Sequence, residues 1–501
     1  MNHNLFGLMH TPYRRRDFLK QLSAFTLTTG FSGSMLSGCG GVAVDDASGL
    51  ILPSGEPIAI PFDSSIPWWL QGNFAPVANE TEAFDLPVQG AIPDTLNGLY
   101  VRNGSNPQAA DSSHWFFGDG MLHGVRLENG KAVSYRNRYI QTDKYLDGDS
   151  GGPPTGGNNS SNVSAIYHGG KLLTSGEIGL PFEINVSDLS TVGVTNFDNS
   201  IQTSFTAHPK IHPATGNLHF FGYWFAEPYL TYHVADPTGK VIHTQPIPVG
   251  KPTMVHSFAI TEQDVVFWEC PVVFDLAAAA AGADNPFQWQ PEYGARVGIM
   301  PLGGMASEIR WKEIDPCFVF HEVNAFRQGD DVVVDLCKYS TMFQGGASLG
   351  GSGESSLSRW TIGTGGDELS FSEQIITRAS LELPAHDRRF SGRKNQHGWL
   401  LEMRDDPNTV DFAGITHVEM DSGNISTWDP GLNNHANEPF FVPDGEGEGE
   451  GWLLTYVFNH SSNKSYLAIL NALDVASGPV ASVELPQRVP FGFHGVWVPN
   501  S

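Results

Sequence analysis

The sequence predicts an all-β protein, and three observations carry that prediction. Gly at 56 and Pro at 33 of 501 residues are too frequent for a mainly helical chain, since both weaken helix interiors. Aromatic residues, at 11%, favour pleated, half-buried surfaces. From Leu99 onward, short apolar runs alternate with Gly/Asn/Asp turns, as around Asn129-Gly130, Asp236-Pro237-Thr238-Gly239 and Asp421-Ser422-Gly423. Many hairpins without sustained helical periodicity suit a propeller or a large barrel, both of which remove exposed sheet edges. No strict repeat of the WD or kelch kind is present. With 40% apolar and 16% charged residues, the chain can bury a large core.

Taken in order, residues 1–38 read as an export leader. Arg15-Arg16-Asp17-Phe18-Leu19-Lys20 matches the twin-arginine pattern, and the run from Leu22 to Leu36 is too polar and short for a membrane span. Leu36-Ser37-Gly38-Cys39 has the form of a lipobox, so Cys39 is the expected acylation site. The expected location is periplasmic, or membrane-anchored through that lipid. Residues 39–66, rich in small residues and punctuated by Pro, form a tether. A single catalytic domain is expected over 67–501. Within it, Cys270, Cys317 and Cys337 are too few for a disulfide framework and are expected to be buried thiols with at most one bridge. The Ala run in 274–283 predicts a short helix in an insertion, 151–157 and 345–353 predict exposed Gly-rich loops, and Glu446-Gly447-Glu448-Gly449-Glu450 predicts a solvated acidic turn.

The formal charge of −26 excludes a polyphosphate partner over most of the surface, so no nucleic acid is expected. The leader carries Arg14, Arg15, Arg16 and Lys20 against Asp17, which makes the remaining chain more acidic still. No nucleophile elbow, phosphate loop or dinucleotide fingerprint is found.

The 18 histidines are the chemical feature of the chain. His114, His123, His212, His219, His233, His243, His417 and His460 lie in strand-turn segments, where an imidazole is ordinarily structural. Four others sit among apolar or small residues at strands or strand ends: His208 in Phe205-Thr206-Ala207-His208-Pro209, His256 in Met254-Val255-His256-Ser257-Phe258, His321 in Phe318-Val319-Phe320-His321-Glu322, and His494 in Phe491-Gly492-Phe493-His494-Gly495. Their wide separation makes no local metal motif. In a propeller, however, single ligands from distant blades converge on one axis, and four neutral imidazoles suit a divalent transition metal with positions left open. Spacing alone leaves four ordinary buried histidines as the alternative.

Leu96-Asn97-Gly98-Leu99-Tyr100-Val101-Arg102-Asn103-Gly104, His114-Trp115-Phe116-Phe117-Gly118-Asp119-Gly120-Met121-Leu122-His123-Gly124 and the four histidine contexts together resemble the carotenoid cleavage oxygenase family, in order from Asn79 to Val498. The resemblance implies a seven-bladed β-propeller with a helical and loop cap over one face, and one non-haem Fe(II) held by His208, His256, His321 and His494. It also implies second-layer carboxylates at Glu177, Glu382 and Glu438, paired with His256, His321 and His494 respectively. A carboxylate on the far ring N–H fixes the tautomer and aim of a ligating histidine.

The implied reaction inserts O2 across a carbon–carbon double bond to give two carbonyl products. The implied substrate is a carotenoid or apocarotenoid, or alternatively a stilbene. Stilbene cleavers of the family resemble one another in using a Tyr and a Lys on the phenol. Lys144 stands near the Lys position, but Asp111-Ser112-Ser113-His114 offers no Tyr, so the polyene class is preferred. Lys144 and Phe117 are the candidate substrate contacts, while Phe116, Phe320 and Phe493 lie near ligand or motif positions. The rival of another class is a non-catalytic, lipid-anchored pigment-binding propeller, which predicts loss of one or more of these ligands.

Overall fold

The computed structural model describes residues 63–500, apart from 109–111, 113, 149–155, 203, 282–284, 345–352 and 405–410. The twin-arginine segment, Cys39 and most of the tether lie outside the described residues, as do most of the two Gly-rich loops.

Seven antiparallel sheets of four to six strands account for most of the chain. Blades 2 to 6 are laid down in order over 164–194, 210–247, 259–314, 318–377 and 381–428, each as four strands paired with their chain neighbours. A separate two-stranded hairpin, Val272–Phe274 with Phe287–Trp289, is inserted in the fourth. The first and seventh blades exchange strands. In blade 1, Gly98–Ser105, Gly120–Glu128 and Lys131–Tyr139 are flanked by Glu82–Phe84 and by the late strand Gly495–Pro499. In blade 7, Pro479–Glu484, Lys464–Asn471, Gly451–Asn459 and Asn434–Ala436 accept the early strand Val88–Gly90 at the edge. The ring is therefore fastened twice, and neither blade is complete without chain from the other end.

The hairpin signals fall where expected. Asn129 and Gly130, at φ 50° and 71°, form the turn between Gly120–Glu128 and Lys131–Tyr139. Gly239 N–H closes on Asp236 O, and Gly423 N–H on Glu419 O. Middle strands such as Leu218–Tyr223 and Asp264–Glu269 are buried throughout, whereas the outer strands Thr191–Val194 and Val241–Ile247 mostly alternate half-buried with exposed. This division explains a sequence that mixes unbroken apolar runs with period-two runs. It also shows that the repeat lies in the backbone and not in the residues.

Among the described residues, α-helix is confined to Asp143–Asp147 and Leu276–Ala280, the latter being the Ala run, capped by the Asp275 carboxylate on Ala277 and Ala278 N–H. The expected cover is thus built of loops and single turns such as Trp68–Leu70 and Trp115–Phe117. No described helix is long and apolar enough to cross a membrane. Cys270, Cys317 and Cys337 are free and buried. The acidic turn is more than a solvated face: Glu448 accepts from Gln396 and His397 N–H, and Arg389 donates to the Gly445 and Gly447 carbonyls.

Candidate metal centre

The four predicted ligands are brought together. One nitrogen from each of His208, His256, His321 and His494 lies within 4.8 Å of the others. Each comes from the entrance or bulge of a blade's first strand. His208 and His256 precede Lys210–Ile211 and Ala259–Ile260, and His494 precedes Gly495–Pro499. His321 lies within Phe318–Gln328 where the register shifts between Val319 and Glu322, a bulge that re-aims the side chain.

The flanking glycines of His494 have a steric reason. A Cβ on Gly492 would stand 2.6 Å from Asn103 O, and one on Gly495 would stand 3.0 Å from Val101 O. The two family motifs, around Arg102 and around His494, are therefore two faces of one contact. Backbone bonds complete it: His494 N–H donates to Val163 O at 3.0 Å, and Asn103 N–H to His494 O at 3.1 Å.

Three rings are anchored on carboxylates in the pairing expected. His256 Nδ1–H donates to Glu177 at 3.0 Å, His321 Nδ1–H to Glu382 at 2.5 Å and His494 Nδ1–H to Glu438 at 2.6 Å. Glu177 follows the blade 2 strand Lys171–Ser175, Glu382 lies in the blade 6 strand Leu381–Ala385, and Glu438 lies between the blade 7 strands Asn434–Ala436 and Phe440–Pro443. Four histidines and three glutamates thus take one group from each of the seven blades. Leu383, at φ 49°, turns its N–H back onto Glu382 at 2.6 Å, so left-handed backbone at a non-glycine residue serves the carboxylate. His208 is held differently, its backbone N–H donating to Thr206 Oγ1 at 3.0 Å.

With Nδ1–H engaged, the Nε2 atoms of His256, His321 and His494 carry lone pairs toward the axis. Nε2 of His256 lies 2.9 Å from that of His208 and 3.3 Å from that of His321. Ring nitrogens this close share either a proton, as the His208 tautomer allows toward His256, or a common cation, and for His256 and His321, both with Nδ1–H engaged, a cation relieves the lone-pair repulsion. Nitrogens about 2.1 Å from one metal ion and at right angles to each other are about 3 Å apart, so the donor set fits a transition-metal dication.

Electrostatics favour neutral rings at His208 and His494, while at His321 the carboxylate favours the proton with which a metal ion would compete. Burial, reinforced by His494, His256 and His321, holds His208 well below its ordinary pKa and therefore neutral. Burial also outweighs Glu438 in lowering His494. At His321 burial is overcome by Glu382, and the pKa is raised. Glu382 and Glu438 are each pushed up by burial but held below the usual carboxylate range by His321 and His494.

One aromatic side chain, Phe320, packs on two of the ligand rings. Phe320 meets His256 edge-on at 5.0 Å, and Trp115 lies 4.6 Å from Phe493. The Trp115–Phe117 turn is fixed by the Asn162 amide, which donates to Phe116 O and Gly118 O. Phe117 is 43% exposed, and Lys144 Nζ donates to its carbonyl at 2.6 Å and to Ser160 Oγ at 2.8 Å. The structure therefore brings the two candidate substrate contacts together.

The histidines assigned to structure have ordinary partners: His123 with Tyr135, His219 with Tyr232, His233 with Thr244. Sequence reasoning missed Tyr223, whose hydroxyl donates to Glu177 at 2.8 Å, and the pair Lys210–Glu322, braced by Ser257. Glu322 and Ser257 stand beside His321 and His256 in the quoted contexts, but only the fold shows that Lys210 joins them and that Tyr223 reaches Glu177.

The fold and the site together define a β-propeller metalloenzyme. Residues 74–499 match the family model for retinal pigment epithelial membrane protein, RPE65. The chain is 33% identical over 498 residues to carotenoid 9,10(9',10')-cleavage dioxygenase 1 of Arabidopsis thaliana, covering 87% of this chain and 91% of that one. It is 32% identical over 474 residues to isoeugenol monooxygenase of Pseudomonas nitroreducens, covering 86% and 98%. Among solved structures, the lignostilbene dioxygenase of Pseudomonas brassicacearum superposes with a TM-score of 0.79 at 31% identity, over 88% of this chain and all of that one. The chain belongs to the carotenoid cleavage oxygenase family and is an oxygenase.

Proposed function

We propose that the chain is an iron(II) dioxygenase that cleaves a carbon–carbon double bond of an apocarotenoid or carotenoid, with one iron per chain. The observation that carries this reading is the convergence of four imidazoles, three of them aimed by carboxylates. Iron bound to His208, His256, His321 and His494 would supply the activation of O2. Both oxygen atoms enter the two carbonyl products, so no external reductant is needed. The protein's part is to hold the ligand set rigid and to lay an apolar chain across it. Phe320, buried and edge-on to His256, keeps water from that ring. Relatives named for carotenoid cleavage support the substrate class.

One observation favours a second reading, a stilbene substrate. The Lys144 ammonium, half-buried beside Phe117, is a donor suited to a phenol oxygen, and the lignostilbene dioxygenase is a close structural relative. The test is iron content with O2-dependent loss of absorbance on an apocarotenal and, separately, on a hydroxystilbene. Iron far below one per chain with turnover of neither overturns the oxygenase reading. Preferred turnover of the hydroxystilbene, abolished by Lys144→Met, decides for the second substrate.

Export by the twin-arginine route and acylation of Cys39 complete the proposal, on the leader sequence alone. Membrane fractionation of wild type and Cys39→Ser tests it, and equal distribution of the two contradicts the anchor.

A further inference from the structure

Behind Glu438 lies a cation that the proposed chemistry does not use. Arg102, in the blade 1 strand Gly98–Ser105, is 1% exposed; the buried Tyr100 hydroxyl is its neutral neighbour, and no acceptor in close hydrogen-bond geometry answers its three guanidinium nitrogens. Its Nη1 stands 3.7 Å from Glu438 Oε2, and its guanidinium lies 5.8 Å over the ring of Phe491. A Cβ on Gly492 would approach its Nε to 3.2 Å, so the ligand-bearing segment leaves room for this side chain. A fully buried guanidinium is costly unless an opposite charge answers it.

The three carboxylates differ in this respect. Glu177 is supported by the neutral hydroxyl of Tyr223 and Glu382 by the neutral N–H of Leu383. Glu438 uses Oε1 for His494, and its Oε2 accepts from Gly495 N–H and faces Arg102. The nearby Glu322 is already matched by Lys210 and Ser257. Arg388, within electrostatic reach of Glu438, is exposed and stacked on Phe440, where solvent screens it.

Among the described residues, Arg102 is the one Arg or Lys in ion-pair distance of these three carboxylates, and over these four groups the charges sum simply. Three carboxylates and Arg102 give the protein groups of the centre a net charge of minus two, which a dication cancels. A trication would leave one charge uncompensated in a low-dielectric interior. We infer that Arg102 is a positioning residue that sets the charge of the metal centre, making it neutral with a divalent ion and so holding bound iron in the ferrous state. This rests on the iron reading above.

The test uses the full chain loaded in vitro with ferrous iron, and reads the ferric/ferrous midpoint potential and the rate of oxidation in air, neither of which requires a substrate. Arg102→Gln is expected to lower the midpoint and speed air oxidation several-fold, because the centre becomes net negative. Glu438→Gln is expected to raise the midpoint. The double variant is expected to return close to wild type, and Arg102→Lys to remain there. A wild-type midpoint in folded Arg102→Gln, or a double variant that does not return, overturns the inference. Should Arg102→Gln fail to fold, the double variant, with both buried charges gone, is expected to fold and hold iron; its failure overturns the inference as well. Absence of turnover on any polyene would count against the proposed reaction while leaving these potentials readable.

Discussion

Replacing Glu382 by Gln keeps the side chain's shape and removes its charge. Glu382 Oε2 accepts from His321 Nδ1 at 2.5 Å and from Leu383 N–H at 2.6 Å, and the buried Tyr339 hydroxyl stands by the carboxylate as a further donor. A glutamine can keep both Oε2 bonds through its carbonyl oxygen, but it removes the negative charge that answers His321 and turns an amide NH2 toward a hydroxyl that had been a donor. Loss of such an outer partner costs about tenfold to hundredfold in metal affinity, which is about 1.4 to 2.8 kcal/mol. Glu382 belongs at the upper end, since its bond is charge-assisted and its side chain is 7% exposed. Glu177→Gln belongs at the lower end: the bond to His256 is 3.0 Å, the side chain is 22% exposed, and the same oxygen also serves Tyr223. Chelator competition on the two variants, each checked for folding by circular dichroism, gives the dissociation constants. A Glu177→Gln loss equal to or greater than that of Glu382→Gln would refute the argument that bond length and burial set the contribution.

His494→Ala is expected to leave no iron after desalting, measured by metal analysis, since it removes a ligand and strands Glu438 beside Arg102. Gly492→Ala is expected to cost about 1 to 3 kcal/mol of stability from overpacking against Asn103 O, read as a lower Tm, and to weaken iron retention. Tyr223→Phe is expected to cost about 1 kcal/mol or less in metal binding, always less than Glu177→Gln, in the same chelator assay.

Much of this centre was legible because its residues carry local marks. The flanks of His208, His256, His321 and His494 combine apolar or small neighbours with strand character, and the pairing of each glutamate with its histidine came from the family resemblance. The hairpins were legible because Asn129-Gly130 and Asp421-Ser422-Gly423 encode their turns in the residues themselves. The seven-fold ring was legible only through the family resemblance, since no residue pattern recurs from blade to blade; only the backbone repeats. Arg102 was quoted within a motif yet given no role, because the carboxylate it answers belongs to a blade at the opposite end of the chain. Tyr223 was invisible for the same reason: nothing near it in sequence hints at Glu177. The acidic turn is solvated as expected, with Glu446 and Glu450 exposed, but composition could not show that Glu448 receives two backbone N–H groups.

The strand exchange between the first and seventh blades ties assembly to metal capture. His494 and the strand Gly495–Pro499 emerge from the ribosome after every other blade, yet that strand must pair with Gly98–Ser105, made among the first. This pairing is the longest-range in the fold and is expected to form late. Until it does, only three imidazoles face the axis. Closing the ring and completing the ligand set are therefore one event. A bound ion, holding blades 1, 3, 4 and 5 through a single point, acts as a clasp whose affinity adds directly to the stability of the closed ring.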